Sequence, residues 1–105
     1  MARKSSKDSA RATIALDADL RIGAAPALRD TLLAALGAGA PVDLDGSAVG
    51  QVDTAGLQVL AAFSRDARVA GLAVGWTGAS DSLRRGVAVL GLNELIELPA
   101  PAGVN

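Results

Sequence analysis

Two stretches decide the reading of this 105-residue chain. They are Pro41-Val42-Asp43-Leu44-Asp45-Gly46-Ser47 and, after a short loop, Val52-Asp53-Thr54-Ala55-Gly56-Leu57-Gln58-Val59-Leu60. The first alternates apolar and acidic residues, the period of a strand with one buried face. The second opens a helix. Leu57, Leu60, Ala61 and Ser64 trace one of its faces, and Val59, Phe63 and Ala67 trace an adjacent one. So broad an apolar surface predicts a well-buried helix, and Gly71 stops it.

The strand-then-helix unit recurs on both sides. Upstream, Ala12-Thr13-Ile14-Ala15-Leu16 alternates, Asp17-Ala18-Asp19 reads as a turn, and Leu20-Arg21-Ile22 returns as a second short strand. Pro26 suits the first turn of a helix, where its missing N–H costs nothing. Leu28, Leu32 and Leu36 recur every four residues, Leu33 widens that face, and Gly37-Ala38-Gly39-Ala40-Pro41 ends the helix. Downstream, residues 72–77 form a further strand, and Ser80 caps a helix striped by Leu83, Val87 and Leu90. Gly91 closes that helix, and Leu95-Ile96-Glu97-Leu98 reads as a final strand. The order is β-β-α-β-α-β-α-β. It predicts one small α/β domain with a mixed, mostly parallel sheet and right-handed crossovers. The domain is expected over residues 12–98, between a disordered basic tail (1–11) and a C-terminal tail (99–105).

Composition removes most function classes. Half of the residues are hydrophobic, 20% are charged and only 2% are aromatic. Arg3, Lys4, Lys7 and Arg11 against Asp8 make the first twelve residues basic, while the remainder holds six basic and ten acidic side chains. An acidic domain with one Trp and one Phe fits neither a phosphate backbone nor a base-stacking platform, so no nucleic-acid partner is expected. Cys, His and Tyr are absent, and the two lysines are Lys4 and Lys7. Catalysis by Cys–His or Ser–His–Asp groups is therefore excluded, as are Cys or His metal ligands. No apolar run approaches the roughly 20 residues that cross a bilayer. No enzyme activity, cofactor or membrane insertion is expected, and the default location is the cytoplasm.

In an open α/β sheet, partners meet the loops at the carboxyl ends of the strands. That edge carries residues 45–54 and 77–80. Gly46-x-x-x-Gly50 lacks the Gly-Lys-Ser/Thr of a nucleotide-binding loop. Asp43, Asp45 and Asp53 invite a Mg²⁺ reading, but a phospho-accepting site would need a lysine after Lys7, and none occurs; solvated caps are the simpler reading. Residues 52–57 begin a helix, so backbone N–H groups point outward and are partly positive. Thr54 projects there, where a phosphate would be favoured; alternatively Asp53 or Thr54 is simply the N-cap. Trp76 reads as half-buried core or a partner hot spot, and Arg84-Arg85 as a solvated basic pair.

Taken together, these segments resemble the STAS domain family, which includes bacterial anti-sigma-factor antagonists. The resemblance continues through Gly71-Leu72-Ala73-Val74-Gly75-Trp76 and Leu90-Gly91-Leu92 to about Leu98. It implies a non-enzymatic regulatory protein that binds an anti-sigma factor or histidine-kinase-type regulator. The expected contact residues are Asp45, Ser47, Asp53, Thr54, Ala55, Gly56, Leu57 and Gln58. In anti-sigma antagonists the motif reads Asp-Ser-Ser-Gly, and a kinase phosphorylates the second hydroxyl residue. Ala55 stands at that position here, so Thr54 is the hydroxyl left for a phosphate. Asp-Thr-x-Gly-Leu is also similar to the cytoplasmic STAS subunit of ABC-type phospholipid transporters, where the Thr contacts the ATPase subunit. Gln58-Val59-Leu60 and Trp76 are similar to STAS proteins encoded beside chemotaxis-type histidine kinases.

Overall fold

A computed structural model describes residues 12–100. The expected basic tail at 1–11, and residues 101–105 of the expected C-terminal tail, lie outside the described residues. The elements run β1 (Ala12–Ala15), β2 (Asp19–Leu20), a 3-10 turn (Ile22–Ala24), α1 (Ala25–Ala38), β3 (Val42–Gly46), β4 (Gln51–Val52), α2 (Thr54–Val69), β5 (Val74–Ala79) and α3 (Asp81–Val89). β1, β3 and β5 form a parallel sheet with β3 in the centre, and β2 pairs β4 in a separate parallel ribbon. The architecture is the small α/β domain that the alternation predicts.

The register explains the alternation. Ile14, Leu44 and Trp76 lie side by side, with Ala12, Val42 and Val74 one pleat away. All six belong to the core or pack against it. On the opposite face stand Thr13, Asp43 and Gly75. Pairing then skips Thr77, so Asp45 meets Gly78. The extra residue bends β5 where it reaches the start of α3.

Chain ends of the helices follow their chemistry. α1 stops at Gly39, whose φ of 73° is the left-handed conformation that glycine adopts without penalty. α2 stops in a paired motif, with Gly71 N–H donating to the Arg68 carbonyl (3.1 Å) and Leu72 N–H to the Ala67 carbonyl (2.8 Å). Ser80 caps α3 by accepting from Leu83 N–H at 3.1 Å.

Two strand expectations are corrected. Leu20-Arg21-Ile22 does not return along β1. The strand is only Asp19–Leu20, parallel to β4, because Asp19 turns the chain by accepting from Arg21 N–H (3.0 Å) and from its guanidinium. Residues 95–98 form no strand. Leu95 and Ile96 N–H both donate to the Leu92 carbonyl, while Arg68 takes the Glu94 carbonyl and Arg84 the Pro99 carbonyl. Ile96 still enters the core at 1% exposure, so its apolarity reports burial rather than pairing. Arg84 is likewise no solvated side chain. It is half-buried, donating to the Ala79 carbonyl at 2.9 Å and tying the C-terminal segment down; Arg85 is exposed.

Candidate functional site

Asp53 organises the start of α2. Its backbone is extended, and its Oδ1 accepts from Gly56 N–H at 3.1 Å. Its Oδ2 accepts from Ile22 N–H at 2.9 Å, across 31 residues of sequence. One carboxylate thus caps α2 and fixes the 3-10 turn beside it. The Gly56 N–H first, and the Ile22 N–H second, hold the Asp53 carboxyl below the usual carboxylate range.

Gly56 serves the same junction by having no side chain. A Cβ there would lie 1.9 Å from the Leu20 carbonyl oxygen. The first turn of α2 therefore rests directly on the backbone at the end of β2, and only glycine permits that approach. Leu57, 3% exposed, turns inward, with its Cδ1 2.9 Å from where a Gly86 Cβ would stand on α3. Gly56 and Leu57 thus shape the surface from beneath, while Thr54 and Gln58 are exposed and Ala55 is half-buried.

The cap belongs to Asp53, which leaves Thr54 in the first helical position with its hydroxyl free of capping duty. Beside this cap, Ile22 is 70% exposed. The sequence pattern places Ile22 at the end of a strand, whereas it begins the 3-10 turn. No local signal marked it, because its placement depends on a bond from a residue 31 positions away.

Asp45 and Ser47 form a second cluster. Asp45 Oδ1 accepts from the Ser47 hydroxyl (2.7 Å) and the Ser47 N–H (3.0 Å), which together hold its carboxyl below the usual range, the hydroxyl contributing most. This turn packs on Gly78, and Ser80 N–H donates to the Gly46 carbonyl, so the cluster belongs to the junction of β5 with α3. Among the described residues, no hydrogen bond or ion pair joins it to residues 53–58. Nor do three His, Cys, Asp or Glu side chains converge as a metal-binding group among them.

A groove of about 450 Å³ runs between α1 and α2, starting at Ala55 and Gln58. Leu32, Leu33, Leu36, Val59, Ala62 and Phe63 give it an apolar lining. The apolar faces of both helices are wider than the sheet can cover. Leu33, which widens the α1 stripe in the sequence, is 46% exposed on this groove. On α2 the expected burial holds for Leu57, Leu60, Phe63, Ser64 and Ala67, while Val59 is half-buried on the groove.

The family model described as "Mlab, STAS domain" matches residues 4–97. The chain belongs to the STAS domain family. STAS domains commonly mediate protein–protein contacts in regulatory roles and are generally non-enzymatic. No curated protein matches the chain. Among the described residues, no helix of this STAS domain is long and apolar enough to cross a membrane.

Proposed function

We propose that this STAS domain is a regulatory module that docks a larger protein on the start of α2 and is switched by a phosphate on Thr54. The preferred partner class is an anti-sigma factor or a histidine-kinase-type regulator, which places the chain in the cytoplasm. One observation carries the reading. Thr54 is exposed in the first turn of a helix that Asp53 already caps; of its chain neighbours, Asp53 bonds the exposed Ile22 and Ala55 lines the apolar groove.

The chemistry of a switch follows from that position. A phosphate at a helix N-terminus is tolerated by the fold, because free N–H groups and the helix dipole favour negative charge there. It adds a charge of about −1.5 to −2 and three acceptor oxygens to a surface of small and apolar residues. A partner packed against Ala55, Gln58 and Ile22 would have to desolvate that charge, which is costly without a matching cation. Asp45 and Ser47 would then act as flanking contacts on the same sheet edge.

A second reading has its own support. Ala55 occupies the position usually phosphorylated in anti-sigma antagonists. A constant contact through the Thr54 hydroxyl, as in the STAS subunit of an ABC-type phospholipid transporter, needs no phosphate. The test is capture from native lysate on immobilised wild type, Thr54→Ala and Thr54→Glu, read by mass spectrometry. Retention of a kinase-fold or anti-sigma protein by wild type and Thr54→Ala, with loss on Thr54→Glu, supports the switch. An ABC ATPase instead supports the second reading. Equal retention by all three shows that Thr54 is structural.

A further inference from the structure

We propose that the α1–α2 groove seats an amphipathic helix of the partner protein, about three turns long. That helix carries a carboxylate at the Thr54 end and a basic side chain at the other. The inference rests on the partner-binding reading of the α2 start and names what the partner must present there.

The length comes from the helices. Ala25 and Ala55 line one end of the groove and Leu36 and Asp66 the other, so α1 and α2 start at the same end. From residue 25 to 36, at 1.5 Å per residue, the groove is about 16 Å long. The conformation comes from what the walls lack. Both walls are side chains on helices whose backbone bonds close within themselves, so no sheet edge is offered. An extended peptide would bury N–H and C=O groups without partners, whereas a helix satisfies its own and inserts apolar side chains at helical spacing.

Charge sets the polarity. Arg29 stands one turn from the start of α1, and Asp66 closes the far end. The N-termini of both helices add partial positive charge at the Arg29 end. The Arg29 end therefore attracts a carboxylate. The other end attracts a cation through the C-termini of both helices and through Asp66, whose Oδ1 also lies 3.7 Å from Arg65 Nε, with an apolar floor of Leu32 and Phe63 between the two ends. The switch acquires a mechanism: negative charge at Thr54 meets the partner's carboxylate and repels it.

The probe is a synthetic 14-residue helix-forming peptide with a leucine stripe, Glu at one end and Lys at the other, bearing a fluorophore. A scrambled-stripe peptide of the same composition is the control. Fluorescence polarisation is measured against wild type, Leu33→Lys, Arg29→Glu and the double variant Arg29→Glu/Asp66→Lys, all at exposed or rim positions. Binding to wild type above the scrambled control is expected. Leu33→Lys should abolish it, and Arg29→Glu should weaken it about three- to tenfold, as for a reversed exposed charge pair. The double variant should recover most of that loss by seating the peptide in the reverse direction. Equal binding of both peptides, or indifference to Leu33→Lys, overturns the inference. So does self-association of wild type that Leu33→Lys dissolves, because the occupant would then be a second copy. The same variants separate the two proposals in the capture experiment. A partner lost on Thr54→Glu but kept on Leu33→Lys leaves the switch standing and removes the groove. The reverse pattern removes the switch alone.

Discussion

Replacing Gly56 by alanine places a methyl group against backbone, and the consequence can be sized. The added Cβ would sit 1.9 Å from the Leu20 oxygen, 3.1 Å from its carbonyl carbon and 3.3 Å from its Cβ. Separations below 3.0 Å are essentially never observed for a real Cβ, so α2 and β2 must part by about 1 Å. Neither side yields easily. Leu20 is paired with Val52, and Asp53 bonds both Gly56 and Ile22. Overpacking costs about 1–3 kcal/mol, and a backbone clash belongs at the top of that range. Alanine recovers about 1 kcal/mol of helix propensity. The expected net loss is about 2 kcal/mol, a large share of a small domain's stability. Urea unfolding followed by Trp76 fluorescence and circular dichroism measures it. Gly37→Ala is the control: within α1, with nothing within 4 Å of its Cβ, it should gain up to about 1 kcal/mol. Gly86→Ala meets side-chain atoms rather than backbone, Leu57 Cδ1 at 2.9 Å and Val52 Cγ1 at 3.6 Å, and should fall between. A Gly56→Ala protein as stable as Gly37→Ala would refute the claim that α2 rests on the Leu20 backbone.

Other expectations follow from the same contacts. Thr54→Glu should be no less stable than wild type in urea, since negative charge suits the first turn of α2; marked destabilisation would turn any loss of binding into a folding effect. Asp53, whose carboxyl is held below its ordinary value, contributes stability that is present above the unfolded aspartate range near pH ~3.9 and lost as pH falls through the folded value. Asp53→Asn should therefore flatten the acid limb of a stability–pH curve below the ordinary aspartate range, and an unchanged limb would show that the Gly56 and Ile22 bonds contribute nothing to it. Ile96→Ala should cost about 2–4 kcal/mol although Ile96 lies in no strand, and red-shift the emission of Trp76, which lines a cleft with Leu95 and Glu97. A surface-like effect below about 0.5 kcal/mol would contradict its burial.

The layered architecture was legible because period and punctuation agreed. Alternation in residues 42–45, the four-residue leucine spacing in α1, and glycines at 39, 71 and 91 each point to one local structure. Two short pieces misled. Leu95-Ile96-Glu97-Leu98 carries the alternation of a strand, but four residues do not say whether their N–H groups find a strand or the carbonyl of Leu92. Leu20-Arg21-Ile22 has the same ambiguity, resolved by carboxylates at Asp19 and Asp53. At the candidate site, the motif located the helix start and Asp53 or Thr54 as its cap, and the geometry assigned the cap to Asp53. The groove was not legible. Helix periodicity gives the width of an apolar face, not how much of it a three-stranded sheet can cover. Leu33 and Val59 look like core residues until α1 and α2 are set side by side.

The central claim is that a partner docks over the start of α2, and hydrogen–deuterium exchange with and without the partner recovered by capture tests it most directly. Protection of residues 22–36 and 54–62 on binding, weaker with Thr54→Glu at equal concentrations, is the predicted result. Protection confined to α3 and the Thr13–Asp43–Gly75 face of the sheet, with residues 54–62 unchanged, would contradict it.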